Sequence, residues 1–263
     1  MVKFEHEGRL PAPLPVPEAS DPGPAALRSG MSPRIPRAQL LLWTCPTHLL
    51  FGFSRRTRGN MTQYILRLAA QADKPAIRCL QEQFMAEIED PLELVESDFD
   101  RSDFILVEAV DGSSRRAVGM MSIMRASSAP FVFERVIRDV WQRIDVRALT
   151  GRTDLRREDL VEVDWLYLEK PHRAKQLTRL LMAACVLHAH RRGYPVIAVI
   201  TNAASKVVLL SGLFHGSGLA IEIGGVPYEL GTVWPAQSAA FMADFVQSTC
   251  AGDPRLAWHL DGG

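Results

Sequence analysis

The stretch DWLYLEKPHRAKQLTRLLMAA, from Asp164 to Ala184, changes its hydrophobic period half-way along. Its first residues have the alternation of a strand, whereas leucine and alanine then recur at helical spacing through Arg191. The joint between the two halves carries four basic side chains, Lys170, His172, Arg173 and Lys175. Because a helix N-terminus leaves N–H groups unpaired and carries partial positive charge, this arrangement predicts a site for a phosphate-bearing ligand. The alternative is a basic turn that is simply solvated.

The elements around this joint predict an α/β fold with a mixed sheet. Leu160–Leu168 has the pattern of a strand, and the continuous apolar run Pro195–Thr201 is typical of a strand buried on both faces. Upstream, two apolar segments flank the turn DGSS at Asp111–Ser114, which indicates a hairpin. We expect a right-handed parallel crossover from the first strand, through the helix, to the second.

Composition divides the chain into three parts. Nine of the seventeen prolines fall in residues 1–60, so we expect a disordered extension there, with a targeting segment as the alternative. Whether this extension is native stays open. Patterned sequence begins at Met61, and residues 61–250 are predicted to form one domain, followed by a tail over residues 251–263.

Charge and cysteine content argue against several classes of function. Thirty basic residues balance thirty acidic ones, which gives the whole molecule no preference for nucleic acid or an anionic membrane. The four cysteines form no C-x-x-C pair, so we expect no metal site and no redox dithiol. No apolar run reaches the length of about 18 residues that a membrane span needs. We therefore expect a cytoplasmic protein.

The joint resembles the coenzyme-A motif of the GNAT superfamily of N-acetyltransferases. In that family a strand is followed by a V-x-P-x-x-R-G-x-G-x-G/A turn and then a helix. LEKPHRAKQLT, Leu168 to Thr178, aligns with this motif and places Arg173 in the arginine position. The order of elements from Met61 to Trp234 is also similar to that fold. The resemblance implies a GNAT-like acyltransferase fold and an acyl-CoA donor.

The resemblance also implies which residues contact this donor, either acetyl-CoA or a longer acyl-CoA. Around the turn they are Leu166, Leu168, Arg173, Ala174, Lys175, Gln176, Leu177 and Thr178. The glycines of the family motif are here Ala174, Gln176 and Thr178, so the backbone approach is more crowded. The Thr178 hydroxyl is expected to replace one lost contact. Asn202, with Ser205 nearby, matches the family asparagine that holds the pantetheine arm; it also suits a helix cap.

Two carboxylates on the strand before the turn are candidates for a general base. Alternation places Glu162, Asp164, Leu166 and Leu168 on one face, and Val161, Val163, Trp165 and Tyr167 on the other. An amine must lose a proton before it attacks a thioester, so we expect Glu162, or second Asp164, to accept it. The alternative is that one carboxylate pairs with an arginine of the insertion over residues 130–158.

The resemblance further implies an acid for the leaving thiolate. The family's tyrosine position falls at Leu209 or Leu210, which cannot donate a proton. Tyr228, Ser205, Ser211 or solvent are the substitutes, and we include Tyr228 among the catalytic candidates.

Three functions stay open. The first is an N-acyltransferase that uses acyl-CoA and a small amine or amino acid. EVDWLYL and GGVPYELGTVWP are also similar to acyl-homoserine-lactone synthases and long-chain N-acyl amino acid synthases, which use acyl carrier protein. An acidic carrier would meet a basic face formed by Arg135, Arg138, Arg143, Arg147, Arg152, Arg156 and Arg157. The third is a catalytically inactive GNAT-like binding module.

Overall fold

The computed structural model describes residues 61–88, 96–203, 212–223 and 225–260. The predicted extension over residues 1–60, together with Ser205, Leu209, Leu210 and Ser211, lies outside this part of the chain. The strands are β1 (Gln63–Leu68), β2 (Ser102–Asp111), β3 (Ser114–Arg125), β4 (Leu160–Leu168), β5 (Val196–Asn202), β6 (His215–Ile223), β7 (Val226–Val233) and β8 (Leu256–His259). The helices are α1 (Lys74–Ile88), α2 (Glu96–Asp100), α3 (Val132–Val136), α4 (Val140–Arg143), α5 (Val146–Thr150), α6 (Lys175–Arg191) and α7 (Pro235–Gly252).

The eight strands form one mixed sheet in the order β6-β7-β5-β4-β3-β2-β1-β8. β4 and β5 are parallel neighbours, joined through α6 as the sequence predicts, and β8 runs parallel to β1. The remaining neighbours are antiparallel, including the predicted β2–β3 hairpin. The prediction of an α/β fold with a mixed sheet is confirmed.

Two apolar layers cover the sheet. On one face, α6 and α7 pack over strands β1 to β5, and α6 contributes Leu180, Leu181 and Ala184, which are completely buried. These residues lie at helical spacing in the sequence, which is why the helix buries one continuous stripe. On the other face, α1 packs against Met120 of β3, and the insertion with α3 to α5 packs against Met124 of the same strand.

Three features of the structure were not predicted from the sequence. The tail predicted over residues 251–263 instead contributes β8, whose residues pair with β1 from Tyr64 to Arg67. Pro235–Gln237, which has no sequence pattern, begins α7, where proline suits the first helical turn because its missing N–H has no partner there anyway. β6 begins at His215, and a bulge between Gly216 and Ala220 interrupts its pairing with β7 at the edge of the sheet.

None of the described helices is long and apolar enough to cross a membrane.

Gly119 allows β3 and β4 to approach closely at the end of β4. It lies opposite Leu168, and a Cβ atom at this position would come within 2.3 Å of the Leu168 side chain and 2.8 Å of the Tyr167 carbonyl oxygen. The side chain of Leu168 could rotate, but the carbonyl belongs to the backbone of β4. A larger residue therefore requires the two strands to separate.

We expect Gly119→Ala to lower the free energy of unfolding by about 1–3 kcal/mol, the usual cost of overpacking a well-packed site. Urea denaturation followed by circular dichroism measures this change. Gly252→Ala is the matched control, because an added Cβ there meets no atom within 4 Å. Equal stability of Gly119→Ala and the wild type would contradict the close approach.

Candidate active site

β4 and β5 separate soon after they meet. Their parallel pairing covers three residue pairs, from Leu160↔Val196 to Glu162↔Ala198. Beyond Glu162, β4 continues to pair with β3, and β5 continues to pair with β7. A gap between two central strands therefore opens within the sheet, on the side toward the turn that leads into α6.

A bulge in β4 lies directly beyond this point. Trp165 has a φ of 55°, in the left-handed region that bulky residues rarely adopt. Ser122 pairs with Asp164 and Met120 pairs with Tyr167, so β4 has one residue more than β3 in this interval. Trp165 is 2% exposed, and its ring packs edge-on against Phe84 at 5.8 Å.

The bulge changes which side chains share a face. Trp165 and Tyr167 pack in the cluster beneath α1, together with Met120. Leu168 instead packs in the core beneath α6, with Val161 and Val163. The prediction that Leu166 and Leu168 share a face with Glu162 and Asp164 is therefore wrong, because strict alternation does not include the extra residue.

Glu162 is buried and joins β4 to the insertion. Its two carboxylate oxygens accept hydrogen bonds from the backbone N–H groups of Val132, at 2.6 Å, and Phe133, at 2.8 Å. These are the first N–H groups of α3, which the helix itself leaves unpaired. The partner of this carboxylate is thus the backbone of the insertion and not one of its arginines. Both oxygens are occupied, and the residue is 2% exposed.

The environment of Glu162 favours its neutral form. Burial, followed by the charge of Asp164, raises the pKa of Glu162 well above its ordinary value, although the two N–H groups counteract part of this shift. Asp164 is half-buried and lies two residues further along the same face of β4. It is also the last residue before the bulge, past the end of the β4–β5 pairing.

Asn202 and Tyr228 lie opposite each other across β5 and β7, and both are half-buried. Ala198 pairs with Glu162, so the two side chains lie on the same face of the sheet. Asn202 follows Ala198 by an even number of residues along β5 and therefore shares that face. Asn202, Tyr228 and the two carboxylates therefore face the same side of the sheet, on the two sides of the gap. Ser205, the remaining candidate from this region, lies outside the described residues.

The predicted phosphate site lies where α6 begins. Ala174 is the N-cap residue and provides no side-chain cap, so helix geometry leaves the N–H groups of Lys175, Gln176 and Leu177 without intrahelical partners. Gln176 is exposed, whereas the side chain of Leu177 is buried in the core. Leu177 can therefore contact a ligand through its backbone N–H but not through its side chain. The side chain of Lys175 lies outside what the structure describes.

Thr178, which is predicted to replace a lost backbone contact to a ligand, uses its hydroxyl within α6. Its hydroxyl donates a hydrogen bond to the carbonyl of Ala174 at 3.2 Å, and the residue is 5% exposed. A threonine in the first turn of a helix commonly bonds to the carbonyl four residues earlier. That local bond withdraws the hydroxyl from the turn.

Arg173 has three contacts within the protein. Its Nε donates to the carbonyl oxygen of Leu168 at 2.8 Å, and its guanidinium lies 5.8 Å from the centre of the Tyr167 ring. Its Nη2 forms an ion pair with the carboxylate of Glu87, which also accepts a hydrogen bond from the Tyr167 hydroxyl at 2.9 Å. Burial, then Glu87, raises the pKa of Tyr167 to about 12.

His172 contacts two side chains outside the turn. Its Nε2 lies 3.3 Å from Nη2 of Arg116, and its Nδ1 lies 3.1 Å from the hydroxyl of Tyr64. Both ring nitrogens of His172 are therefore in contact with side chains of the protein itself. Arg116 itself pairs with both carboxylate oxygens of Glu169 at 2.7 Å.

The basic insertion is partly neutralised by its own ion pairs. Arg135 pairs with Asp98, Arg152 with Asp154, and Arg157 with Glu134. The other arginines of the predicted docking face, Arg138, Arg143, Arg147 and Arg156, are exposed. Within the residues that the structure describes, no group of three or more His, Cys, Asp and Glu side chains is placed to hold a metal ion.

Sequence reasoning did not identify Glu87 or Tyr167 as parts of this site. Glu87 is separated from Arg173 by 86 residues, and no local pattern indicates their pairing. Strict alternation places Tyr167 on the face opposite Glu162, because it does not include the bulge. The left-handed Trp165 has no sequence signature either, since glycine and asparagine are the residues that usually signal such a conformation.

No protein-family model matches the chain, and no curated protein sequence matches it. Among solved structures, the CoA-dependent acyl-homoserine lactone synthase MesI has a TM-score of 0.48 at 15% identity, over 75% of this chain and 100% of that one. FeeM, an N-acyl amino acid synthase from uncultured soil microbes, has a TM-score of 0.49 at 13% identity, over 70% and 100%. The AHL synthase LasI has a TM-score of 0.48 at 12% identity, over 69% and 95%. At these values the likeness carries no conclusion about what this chain binds or transforms.

We expect Glu162→Gln to lower the free energy of unfolding by about 1–3 kcal/mol. The amide nitrogen of glutamine cannot accept a hydrogen bond, so the N–H of Val132 or of Phe133 would lose its acceptor. The substitution should also change the pH dependence. The folded protein holds the Glu162 proton to a higher pH than the unfolded chain does. Wild-type stability should therefore fall as pH rises through the raised pKa, and the variant should lack this fall.

Urea denaturation at a series of pH values measures both effects. Glu158→Gln, on an exposed residue at the end of the insertion, is the control and should be within about 0.5 kcal/mol of the wild type. A Glu162→Gln variant as stable as this control would show that the two hydrogen bonds contribute nothing to the free energy of unfolding.

Proposed function

We propose that this chain is an N-acyltransferase that moves an acyl group from a coenzyme-A thioester to an amine in a ternary complex. The observation that carries the proposal is the separation of β4 from β5 directly beside the basic turn and the start of α6. Such a gap accepts an extended, amide-bearing arm along a strand edge, while the neighbouring helix start accepts its phosphates. Both parts of a coenzyme-A thioester therefore have a matching surface at one location.

The donor is expected to lie along β4 after Glu162, where this strand is no longer paired with β5. Backbone groups of Leu166 and Leu168 would bond to the pantetheine amides, and Asn202 would approach the arm from the β5 side of the gap. The diphosphate would lie at the N–H groups of Lys175 to Leu177, with Arg173 supplying charge. The Cβ atoms of three residues lie beside this position: Ala174, Gln176 and Thr178. Thr178 contributes only its position in the first turn of α6, because its hydroxyl is bonded within the helix.

Asp164 is proposed to be the general base. Both oxygens of Glu162 are bonded to the backbone of α3, whereas Asp164 lies half-buried past the end of the β4–β5 pairing. An amine nitrogen attacks the thioester carbonyl carbon, and its proton passes to the Asp164 carboxylate. The carbon–sulfur bond then breaks, and the leaving thiolate takes a proton. Tyr228, across from Asn202, is the proposed acid for that last step.

Replacing Asp164 tests the base directly. We expect Asp164→Asn to lower kcat by about 10²- to 10⁴-fold, the usual contribution of a positioned base, while the affinity for the donor is retained. Release of free thiol in the presence of acyl-CoA and a panel of amines and amino acids measures kcat. Asp111→Asn, in the exposed β2–β3 hairpin, is the control for loss of one carboxylate. Unchanged turnover in Asp164→Asn would exclude Asp164 as the base.

Replacing Arg173 tests the phosphate site. Arg173→Gln removes the charge but keeps a polar side chain, and we expect it to weaken coenzyme-A binding about tenfold or more, because charge-assisted hydrogen bonds are lost. Isothermal titration calorimetry measures the affinity. Arg78→Gln removes the same charge from an exposed position on α1 and should bind as the wild type does. Equal binding by Arg173→Gln would place the phosphates elsewhere.

A second candidate is a synthase that takes its acyl group from acyl carrier protein. The exposed arginines Arg138, Arg143 and Arg147 favour it, because they present basic charge to an acidic partner. A melting-temperature increase with acyl carrier protein but not with acyl-CoA would support this candidate over the first. A melting-temperature increase with acyl-CoA and no turnover with any amine would instead support an inactive binding module.

A further inference from the structure

Glu87 lies in the last turn of α1. It is already paired with Arg173, the arginine that the proposed function assigns to the donor's phosphates. Its carboxylate forms an ion pair with Nη2 of Arg173, and the side chains of Glu87 and Arg173 are 23% and 34% exposed. The Tyr167 hydroxyl donates a second hydrogen bond to the same carboxylate at 2.9 Å. In this state Arg173 is therefore bound to an anion supplied by the chain itself.

Arg173 does not depend on Glu87 to stay in place. Its Nε is fixed by the carbonyl of Leu168 at 2.8 Å, and its guanidinium lies over the ring of Tyr167. These two contacts involve β4, whereas Glu87 belongs to α1. If Glu87 withdrew, the guanidinium would stay beside the turn with Nη2 available to another acceptor.

We propose that Glu87 is a specificity-determining residue that competes with the donor's phosphate for Arg173. This inference rests on the proposed function, because it takes the phosphate of a coenzyme-A thioester as the competing anion. A partly exposed ion pair is weak and is readily exchanged. The donor's diphosphate carries two negative charges where a carboxylate carries one, and it offers more acceptor oxygens, so it displaces Glu87, whereas a singly charged anion gains little by doing so.

The competition is present at neutral pH. Burial raises the pKa of Glu87, but the hydrogen bonds from Arg173 and Tyr167 outweigh burial and leave the net shift downward. The carboxylate is thus ionised at neutral pH. While Glu87 stays near Arg173, its negative charge also repels the donor's phosphates. This repulsion weakens donor binding further, beyond the competition for Arg173.

The test is a set of coenzyme-A affinities measured by isothermal titration calorimetry for the wild type, Glu87→Gln, Arg173→Gln and the double variant. We expect Glu87→Gln to bind coenzyme A about three- to tenfold more tightly, because the ion pair and the repulsion are both removed. In the Arg173→Gln background the same change should have less than about a twofold effect, because the two residues act as one pair.

Two controls accompany this cycle. Glu82→Gln removes one negative charge from an exposed position on α1 and should stay within about twofold of the wild type, a margin typical of an exposed site. Glu87→Ala is a second variant with the same expected gain, in case the glutamine variant does not fold, and circular dichroism melting verifies each protein. With acyl-CoA as substrate, Glu87→Gln should lower KM and leave kcat unchanged.

The outcomes separate the inference from the proposed function. If the wild type binds coenzyme A and both Glu87 variants bind it equally or more weakly, Glu87 supports Arg173 structurally and the inference is overturned. A gain that persists in the Arg173→Gln background overturns it as well. If neither the wild type nor the Glu87 variants bind coenzyme A, the proposed function falls and the inference falls with it.

Discussion

The carboxylate of Glu162 binds the backbone of α3 at the last position where β4 is still paired with β5. Each group satisfies a requirement of the other. A buried carboxylate is costly without hydrogen-bond donors, and the first N–H groups of a helix need acceptors. The insertion is therefore fixed to the central strand at the point where the sheet divides, and Phe131 and Phe133 can pack on the sheet beside it.

Much of the fold was predictable because its main elements are locally encoded. The leucine stripe of α6, the alternation of β4 and the apolar run of β5 each reveal their element within one short window. β8 was missed because four residues, Leu256–His259, carry too little pattern, and their partner β1 is at the opposite end of the described chain. The bulge at Trp165 was missed because tryptophan is not a turn-forming residue, so the local sequence gives no signal of a left-handed conformation there.

The candidate site was predictable only in part, and for the same reason. The basic turn and the position of Arg173 follow from the local sequence, as do the carboxylates of β4. The partners of these groups do not, because Glu162 reaches the backbone of Val132 and Arg173 reaches Glu87 only through the tertiary fold. A sequence lists which charges are available near a site. Which of them are already satisfied by the protein depends on contacts between distant segments.

The pairing of β8 with β1 has a consequence for how the molecule is made. β1 is the first described strand to leave the ribosome and β8 is the last, yet they are neighbours at one edge of the sheet. While synthesis proceeds, the outer edge of β1 stays open, and contacts between such distant segments form slowly. The nascent protein thus carries an unfinished sheet until β8 has been translated, and in that interval the open strand edge is exposed to other chains and to chaperones.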